Sequence, residues 1–281
     1  MTTIVGIFRE PEFSPGRVGD DAAILEQTAA ALRGRGATVR LGAPELALAD
    51  DVDAVLAMCQ TPAALAVLDR AALRVPVLNS AAAIRNCFRA ETVRLLGAAG
   101  LPFPSTAVVA TDAPATGRAP CWVKRGDVHA MHPDDVVFAA DDAALTQALA
   151  AFRARGIARA ALQAHVAGPV LKFYGTADGR FFRAYSDLPE APAPIGRLCE
   201  VASAGARALG LDVFGGDLVV PADGAPVLID VNDWPSFARC RDEAAEAIAD
   251  HALARIAAAA PRTGAGGAAD VADRGTLSHA G

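Results

Sequence analysis

The sequence predicts a mixed α/β and α+β protein, with a small parallel α/β lobe first and two α+β lobes after it. Three observations predict this. Short apolar runs alternate with helix-period segments over residues 1–80, the pattern of a parallel sheet covered by helices. Beyond residue 105 the runs come as pairs separated by turn residues, interrupted by single helices. Finally, 53% of the 281 residues are apolar, enough core material for more than one lobe.

The elements follow in order. TIVGIF (3–8) is a buried strand, and residues 20–35 carry Ala23, Leu25, Ala29 and Leu32 at helical spacing before Gly34 and Gly36. ATVRLG, DAVLAMC and VPVLNS read as strands, with PAALAVLDRAAL a helix between the last two. Residues 81–104 are expected to form a connecting helix, which the two prolines of LPFPST end. A lid lobe spans 105–166. It holds TAVVA, a Pro/Gly/Thr-rich connector, the strand CWVK, the polar loop RGDVHAMHPDD, the strand VVFA, a helix and the strand ALQAHV. Asp141 or Asp142 caps the start of that helix and Gly156 its end. A third lobe, 167–260, pairs VLKFYG with GRFFRAY, places a helix near 196–209, pairs FGGDLVV with PVLIDV, and closes with the helix DEAAEAIADHALARIAAAA. Residues 261–281 lack periodicity and are expected to be a disordered tail.

Composition excludes several function classes. A net charge of −6 lacks the cationic footprint that nucleic-acid binding requires. The five cysteines (59, 87, 121, 199, 240) form no CxxC pair, so neither a zinc site nor a disulfide framework is expected. Charges interrupt every Ala-rich stretch, so no membrane span is expected, and Met-Thr-Thr-Ile-Val lacks the basic flank of a signal peptide. The expectation is a reduced, soluble, cytoplasmic protein.

The sharpest local pattern is FGGDLVV-PADGA-PVLIDVND. Asp230 and Asn232 are two apart on one strand and share a face. With Pro221 and Pro226 flanking a four-residue loop, Asp217 falls opposite Asp230. Facing like charges destabilise a ladder unless something compensates. Two carboxylates and an amide oxygen suit Mg²⁺ as that compensation. The plainer alternative is the solvated face of an antiparallel hairpin, and a slip of one residue would turn Asp217 away.

Only two of the 26 basic side chains are lysine, Lys124 and Lys172. Surface roles tolerate either cation, whereas a compact ammonium beside a phosphate is harder to exchange for a guanidinium. Both lysines lie on strands rather than on helix surfaces, and a phosphate-bearing cleft is the functional reading. Compositional accident is the other.

In this order, VLNSAAAIRNCFRAETVRLLGAAGLPFPST, CWVKRGDVHAM, ALQAHVAGPVLKFYG and LGLDVFGGDLVV…LIDVNDWPSF resemble the ATP-grasp superfamily over residues 77–237. Within it they are similar to the glutathione-synthetase and glutamate-ligase type and, in VHAM, VLKFYG and IDVNDWP, to the inositol trisphosphate kinase type. The resemblance implies an ATP-grasp fold, in which the two α+β lobes clamp ATP. It implies that Lys124 binds the α/β-phosphates, and that Gln163, Ala164, His165 and Val166 form the hinge beside adenine. Asp217, Asp230 and Asn232 would hold Mg²⁺, while Lys172 and His129 would face the substrate or the γ-phosphate. Arg89 stands where the superfamily has its first ATP lysine, and RGDVHAMHPDD replaces the Gly-rich flap.

Arg125, Asp127, His129 and His132 cluster on that lid loop, as a site or as a solvated loop; Arg125 and His129 are taken with Lys172 as catalytic candidates. Arg9, Glu10 and Arg17 follow the first strand, and Gln60, Asn79 and Ser80 end later ones. Crevices at the carboxyl ends of parallel strands bind ligands. Cys59 reads as a buried structural thiol. The functional expectation is an ATP- and Mg²⁺-dependent ligase of a small carboxylate and an amine, which resemblance makes compatible with a homodimer. A kinase of a small polyanionic hydroxyl compound and a catalytically silent ATP-binding module are the alternatives. Asp230→Ala is expected to abolish Mg-ATP turnover and leave the fold intact.

Overall fold

The computed structural model describes residues 1–114 and 117–259; the tail read at 261–281 lies outside the described residues. Three four-stranded sheets organise the chain.

The first sheet is parallel, in order β2-β1-β3-β4, with β1 at Thr3–Ile7, β2 at Thr38–Gly42, β3 at Ala54–Ala57 and β4 at Val77–Leu78. Every side chain of β3 is buried, because helices cover both faces and leave no polar side to alternate with. Helix α1 (Val18–Gly34) lies on one face and α2 (Pro62–Ala71) on the other. Thr61 caps α2 by accepting from the Ala64 N–H.

The expected single helix over 81–104 is two helices, α3 (Ala81–Asn86) and α4 (Arg89–Ala98). Cys87 ends the first, and Phe88 adopts an extended conformation that no helix can continue through. The break directs Arg89 inward, where it is buried.

The second sheet is antiparallel, in order β5-β8-β6-β7: β5 at Thr106–Ala110, β6 at Cys121–Arg125, β7 at Val136–Ala139 and β8 at Arg159–Ala164. Helix α5 (Asp142–Ala154) covers one face with Leu145, Leu149 and Phe152. Asp141, not Asp142, caps it, and Gly156 turns at φ +77°.

The third sheet is antiparallel, in order β10-β9-β11-β12, with β9 at Val170–Thr176, β10 at Phe182–Tyr185, β11 at Val213–Val219 and β12 at Val227–Asp233. Helix α6 (Ile195–Leu209) packs its apolar stripe against Phe173, Phe214, Leu218 and Val231 on one face. The other face stays polar, and the period of two decides which residues it presents.

The last helix, α7 (Arg241–Ala259), joins two lobes: it shares a core with Tyr174, Phe181 and Val213 of the third lobe, where Glu243 pairs with Arg183 and Arg255 with Asp212. It also crosses to the first sheet and packs beside α1, with Ile248, Ala249 and Ala252 in the core of Ile4, Leu25 and Leu32. Arg35 on α1 adds ion pairs to Glu246 and Asp250. The Ala-rich pattern shows a helix with a buried stripe but not which sheet buries it.

Candidate active site

A row of polar residues crosses the third sheet on its uncovered face. Tyr185 is in register with Lys172, Lys172 with Asp217, and Asp217 with Asp230. One step along the strands, Tyr174, Gly215 and Asn232 form the next row on the same face.

The expected juxtaposition of Asp217 and Asp230 is present, but the turn alone does not produce it. From Val219↔Val227 and Leu218↔Leu228, the pairing shifts by one residue before Asp217↔Asp230. Ile229 is the extra residue, a β-bulge. Its carbonyl accepts from Lys124 Nζ at 3.0 Å and Gln163 Nε2 at 3.3 Å. The bulge that aligns the carboxylates therefore also ties them to the second sheet.

The carboxylates are held by internal cations. Arg89 Nη1 lies 2.6 Å from Asp230 Oδ1, and Lys172 Nζ lies 3.1 Å from Asp217 Oδ1. Burial pushes Asp217 above the usual carboxylate range and the facing Asp230 adds to it, with Lys172 pulling the other way. Burial alone would do the same to Asp230, but Arg89 and Lys124 outweigh it and hold it low. Lys124 is buried, which lowers its pKa to about 8 against the pull of Asp230. Asn232 donates to Asp230 Oδ2 at 3.4 Å, which turns its amide toward the pair.

Among the described residues no group of three or more His, Cys, Asp or Glu side chains is arranged to hold a metal. A metal at this face would therefore need the amide oxygen of Asn232. Two carboxylates and one amide oxygen on adjoining strands, at a cavity wall, fit Mg²⁺, which takes few protein ligands.

The row forms one wall of a cavity of about 650 Å³. His129 reaches it from the loop after β6. Its Nε2 lies 3.0 Å from the Phe13 carbonyl, which only accepts, so Nε2 carries the proton. Burial and then Arg9 lower its pKa, keeping the ring neutral. Gln163 lies on the face of the second sheet that Lys124 occupies, with Trp122 opposite it. His165 follows β8 and packs with Trp122 and Phe138, accepting from Trp122 Nε1 at 3.2 Å. Ala164 ends β8, and Val166 starts the link to β9.

Arg125 is not brought to the cavity. It pairs with Asp127 and with Asp135, a fully buried carboxylate that also takes Arg155 and the Met131 and His132 N–H groups. Burial works to raise Asp135, and these bonds outweigh it and leave its pKa low. The network braces residues 125–135. Arg125→Gln is expected to cost about 1–2 kcal/mol in urea unfolding and to change turnover of the folded enzyme less than the cavity substitutions do.

The loops after β1 and β3 divide. Arg9 is saturated: Nη1 meets Asp21 at 3.3 Å, and Nη2 meets Asp233 Oδ2 at 3.4 Å and the Asp233 and Trp234 carbonyls. Glu10 turns from the cavity and accepts from the Gln60 and Thr61 N–H groups at the start of α2. Asn79 is fully buried and binds the backbone of Asp212 and Val213, while Ser80 caps α3, so neither lines the crevice. Cys59 is buried and its thiol is pushed up to about 12 by that burial. Sequence reasoning missed Trp122, Phe138, Tyr185 and Arg239. Their alternation was visible, but not the partners across the strands.

Solved structures share this arrangement of a parallel sheet followed by two antiparallel ones. D-alanine–D-alanine ligase from Bacillus anthracis, solved also in complex with ATP, aligns over 92% of this chain and 98% of its own, at a TM-score of 0.69 and 14% identity. The chain has the ATP-grasp fold. The RimK domain ATP-grasp protein from Sphaerobacter thermophilus aligns over 90% of this chain and 100% of its own, at 0.64 and 22% identity. The ATP-grasp ligase PsnB, complexed with a minimal precursor, aligns over 90% and 99%, at 0.64 and 17% identity. At these identities the likeness is one of fold. No family model matches the sequence, and the comparison with curated proteins found no match. Lys124, on β6, joins the second sheet to the third through the Ile229 carbonyl.

Proposed function

We propose that the chain is an ATP- and Mg²⁺-dependent carboxylate–amine ligase acting on small molecules through an acyl phosphate. The observation that carries this reading is the row Lys172–Asp217–Asp230, with Asn232 beside it, under Lys124 and at the wall of a cavity sized for a small ligand. The ATP-grasp ligases of matching fold support it. The lobes are taken as residues 1–80, 105–166 and 167–260, with α7 shared with the first.

Lys124 and Arg89 bind the ATP phosphates; both are cations already gathered at Asp230. Trp122, Phe138 and His165, whose rings are tilted to one another by 48–67°, offer an aromatic cluster for adenine beside the hinge 163–166. Asp217, Asp230 and Asn232 hold Mg²⁺, which supplies charge neutralisation to the transferring phosphoryl group. Lys172 lies in the row where the substrate carboxylate attacks and stabilises the negative charge gathering there. Neutral His129, held against Phe13, lines the cavity beside the row. No protein nucleophile is needed, since positioning and electrostatics suffice for phosphoryl transfer.

A polyanionic kinase substrate fits less well. Three cations with loose or exposed pairing, Arg17, Lys172 and Arg239, serve the whole cavity. Among the described residues no helix is long and apolar enough to cross a membrane. A cytoplasmic setting is proposed from the free cysteines.

The test is incubation with ATP, Mg²⁺ and paired panels of amino acids and small carboxylates. ADP and free phosphate are expected only when acid and amine are both present. AMP, or phosphate retained on a product that hydroxylamine does not cleave, as it cleaves an acyl phosphate, would reject the ligase reading.

A further inference from the structure

The cavity lining also carries charge that the ligase chemistry does not use. Its buried acids are already satisfied. Asp21 takes Arg9 and the Ser14 hydroxyl, the latter at 2.7 Å, and Asp233 takes Arg9 and Gln60 Nε2 at 2.9 Å. Two guanidiniums on the rim are not. Arg239 lies over the Tyr185 ring at 5.5 Å, and its one ion pair is 3.5 Å long, to an Asp187 that is 99% exposed. Arg17 stands 3.5 Å from Asp20, whose other oxygen is held closer, at 2.7 Å, by Arg241. Exposed pairs of this kind contribute little to stability, so an incoming anion displaces them at little cost.

Register fixes where these cations stand relative to the chemistry. Tyr185 is one strand from Lys172 and two from Asp217. Strands are spaced about 4.8 Å apart, which places the Tyr185 ring on the order of 10 Å from Asp217 along the row. A guanidinium held over an aromatic face by cation–π attraction still has N–H donors to offer a carboxylate.

We propose that Arg239, seated on Tyr185 and assisted by Arg17, binds a carboxylate that does not react, so that one of the two substrates carries a free carboxylate a few bonds from its reacting group. This rests on the ligase reading for the position of the reacting end. The anchored group belongs either to a dicarboxylic acid activated at its other end or to an amino acid acting as the amine. Both present the same oxyanion to Arg239. The anchor makes the protein select for a charged terminus rather than for size alone.

The test titrates succinate, glutarate, glutamate and β-alanine into the full chain by calorimetry, with and without Mg-ADP, and uses butyrate and butylamine as controls. At least one of the four is expected to bind at least about tenfold more tightly than either control, since a charge-assisted bond of this kind carries that much. Binding by succinate or glutarate alone assigns the anchored group to the acid; binding by β-alanine alone assigns it to the amine. Arg239→Gln is expected to remove about tenfold or more of that affinity, and Arg17→Gln a smaller part. Both are surface substitutions whose melting temperatures are read in the same experiment. The proposal is overturned if none of the four outbinds the controls, or if Arg239→Gln leaves affinity within about twofold. Mg-ADP is titrated separately. Failure of Mg-ADP to bind counts against the ligase reading, whereas nucleotide binding without carboxylate binding counts against this inference alone.

Discussion

Asp230→Asn is expected to lower ATP turnover by about 10²-fold or more, while Asp230→Ala also destabilises the fold. The two differ because Asp230 does two jobs. It is a proposed Mg²⁺ ligand, and it is also the counter-ion of Arg89, whose side chain is 7% exposed, and of Lys124. Removing one partner of a buried pair leaves the other charged and unpaired, at a cost of about 3 kcal/mol or more. Asparagine keeps an oxygen acceptor for Arg89 Nη1 and fills the same space, so it loses charge with less damage. Expecting Asp230→Ala to leave the fold intact treats the carboxylate as a surface ligand, and its contact with Arg89 argues for a loss of stability instead. Urea unfolding and turnover, measured on both variants, separate the two effects. Wild-type turnover by folded Asp230→Asn would remove Asp230 from the proposed ligand set.

How much of this was legible follows from the range of each interaction. Strand and helix identities depend on local period: the helix expected near 196–209 is Ile195–Leu209, whereas the one expected over 81–104 breaks at Phe88 into two. The pairing of Asp217 with Asp230 was expected from the turn, but the turn register is one residue away from it and the bulge at Ile229 restores it. That bulge was not readable, since an extra residue leaves no compositional mark on an apolar strand. Long-range partners were out of reach for the same reason. Nothing in GGDL or VLKF says that β9 lies beside β11 rather than at an edge, so the row Tyr185–Lys172–Asp217 could not be assembled. Arg125 shows the converse. A charged residue following a strand and entering a polar loop has the sequence signature of a site residue. Only the fully buried Asp135, ten residues on, reveals a brace.

Lys124→Met is expected to reduce ATP affinity by about 10- to 100-fold, the worth of one or two charge-assisted bonds to phosphate, without lowering the melting temperature. Burial is the largest influence on this ammonium. It disfavours the charged form, and Asp230 and Asp217 only partly offset it against the repulsion of Arg89. The folded pKa, about 8, lies below the ordinary lysine value of 10.5, so between the two the unfolded chain binds more protons than the folded one. Stability contributed by this group therefore rises with pH across that window, and the full cost is present below about 8. Methionine has no charge to bury and a similar length, and Asp230 keeps Arg89 as its partner. Stability lost to the bond from Lys124 Nζ to the Ile229 carbonyl is partly retained, since Gln163 Nε2 reaches the same oxygen. Phosphate favours the protonated amine, so ATP binding is expected to take up a proton when measured slightly above pH 8. Calorimetry in buffers of different ionisation enthalpy reads that uptake, and it should vanish in Lys124→Met. Equal ATP affinity in the two proteins, or a proton uptake that persists in the variant, would mean that the lysine bridging the two sheets is structural and the phosphates lie elsewhere.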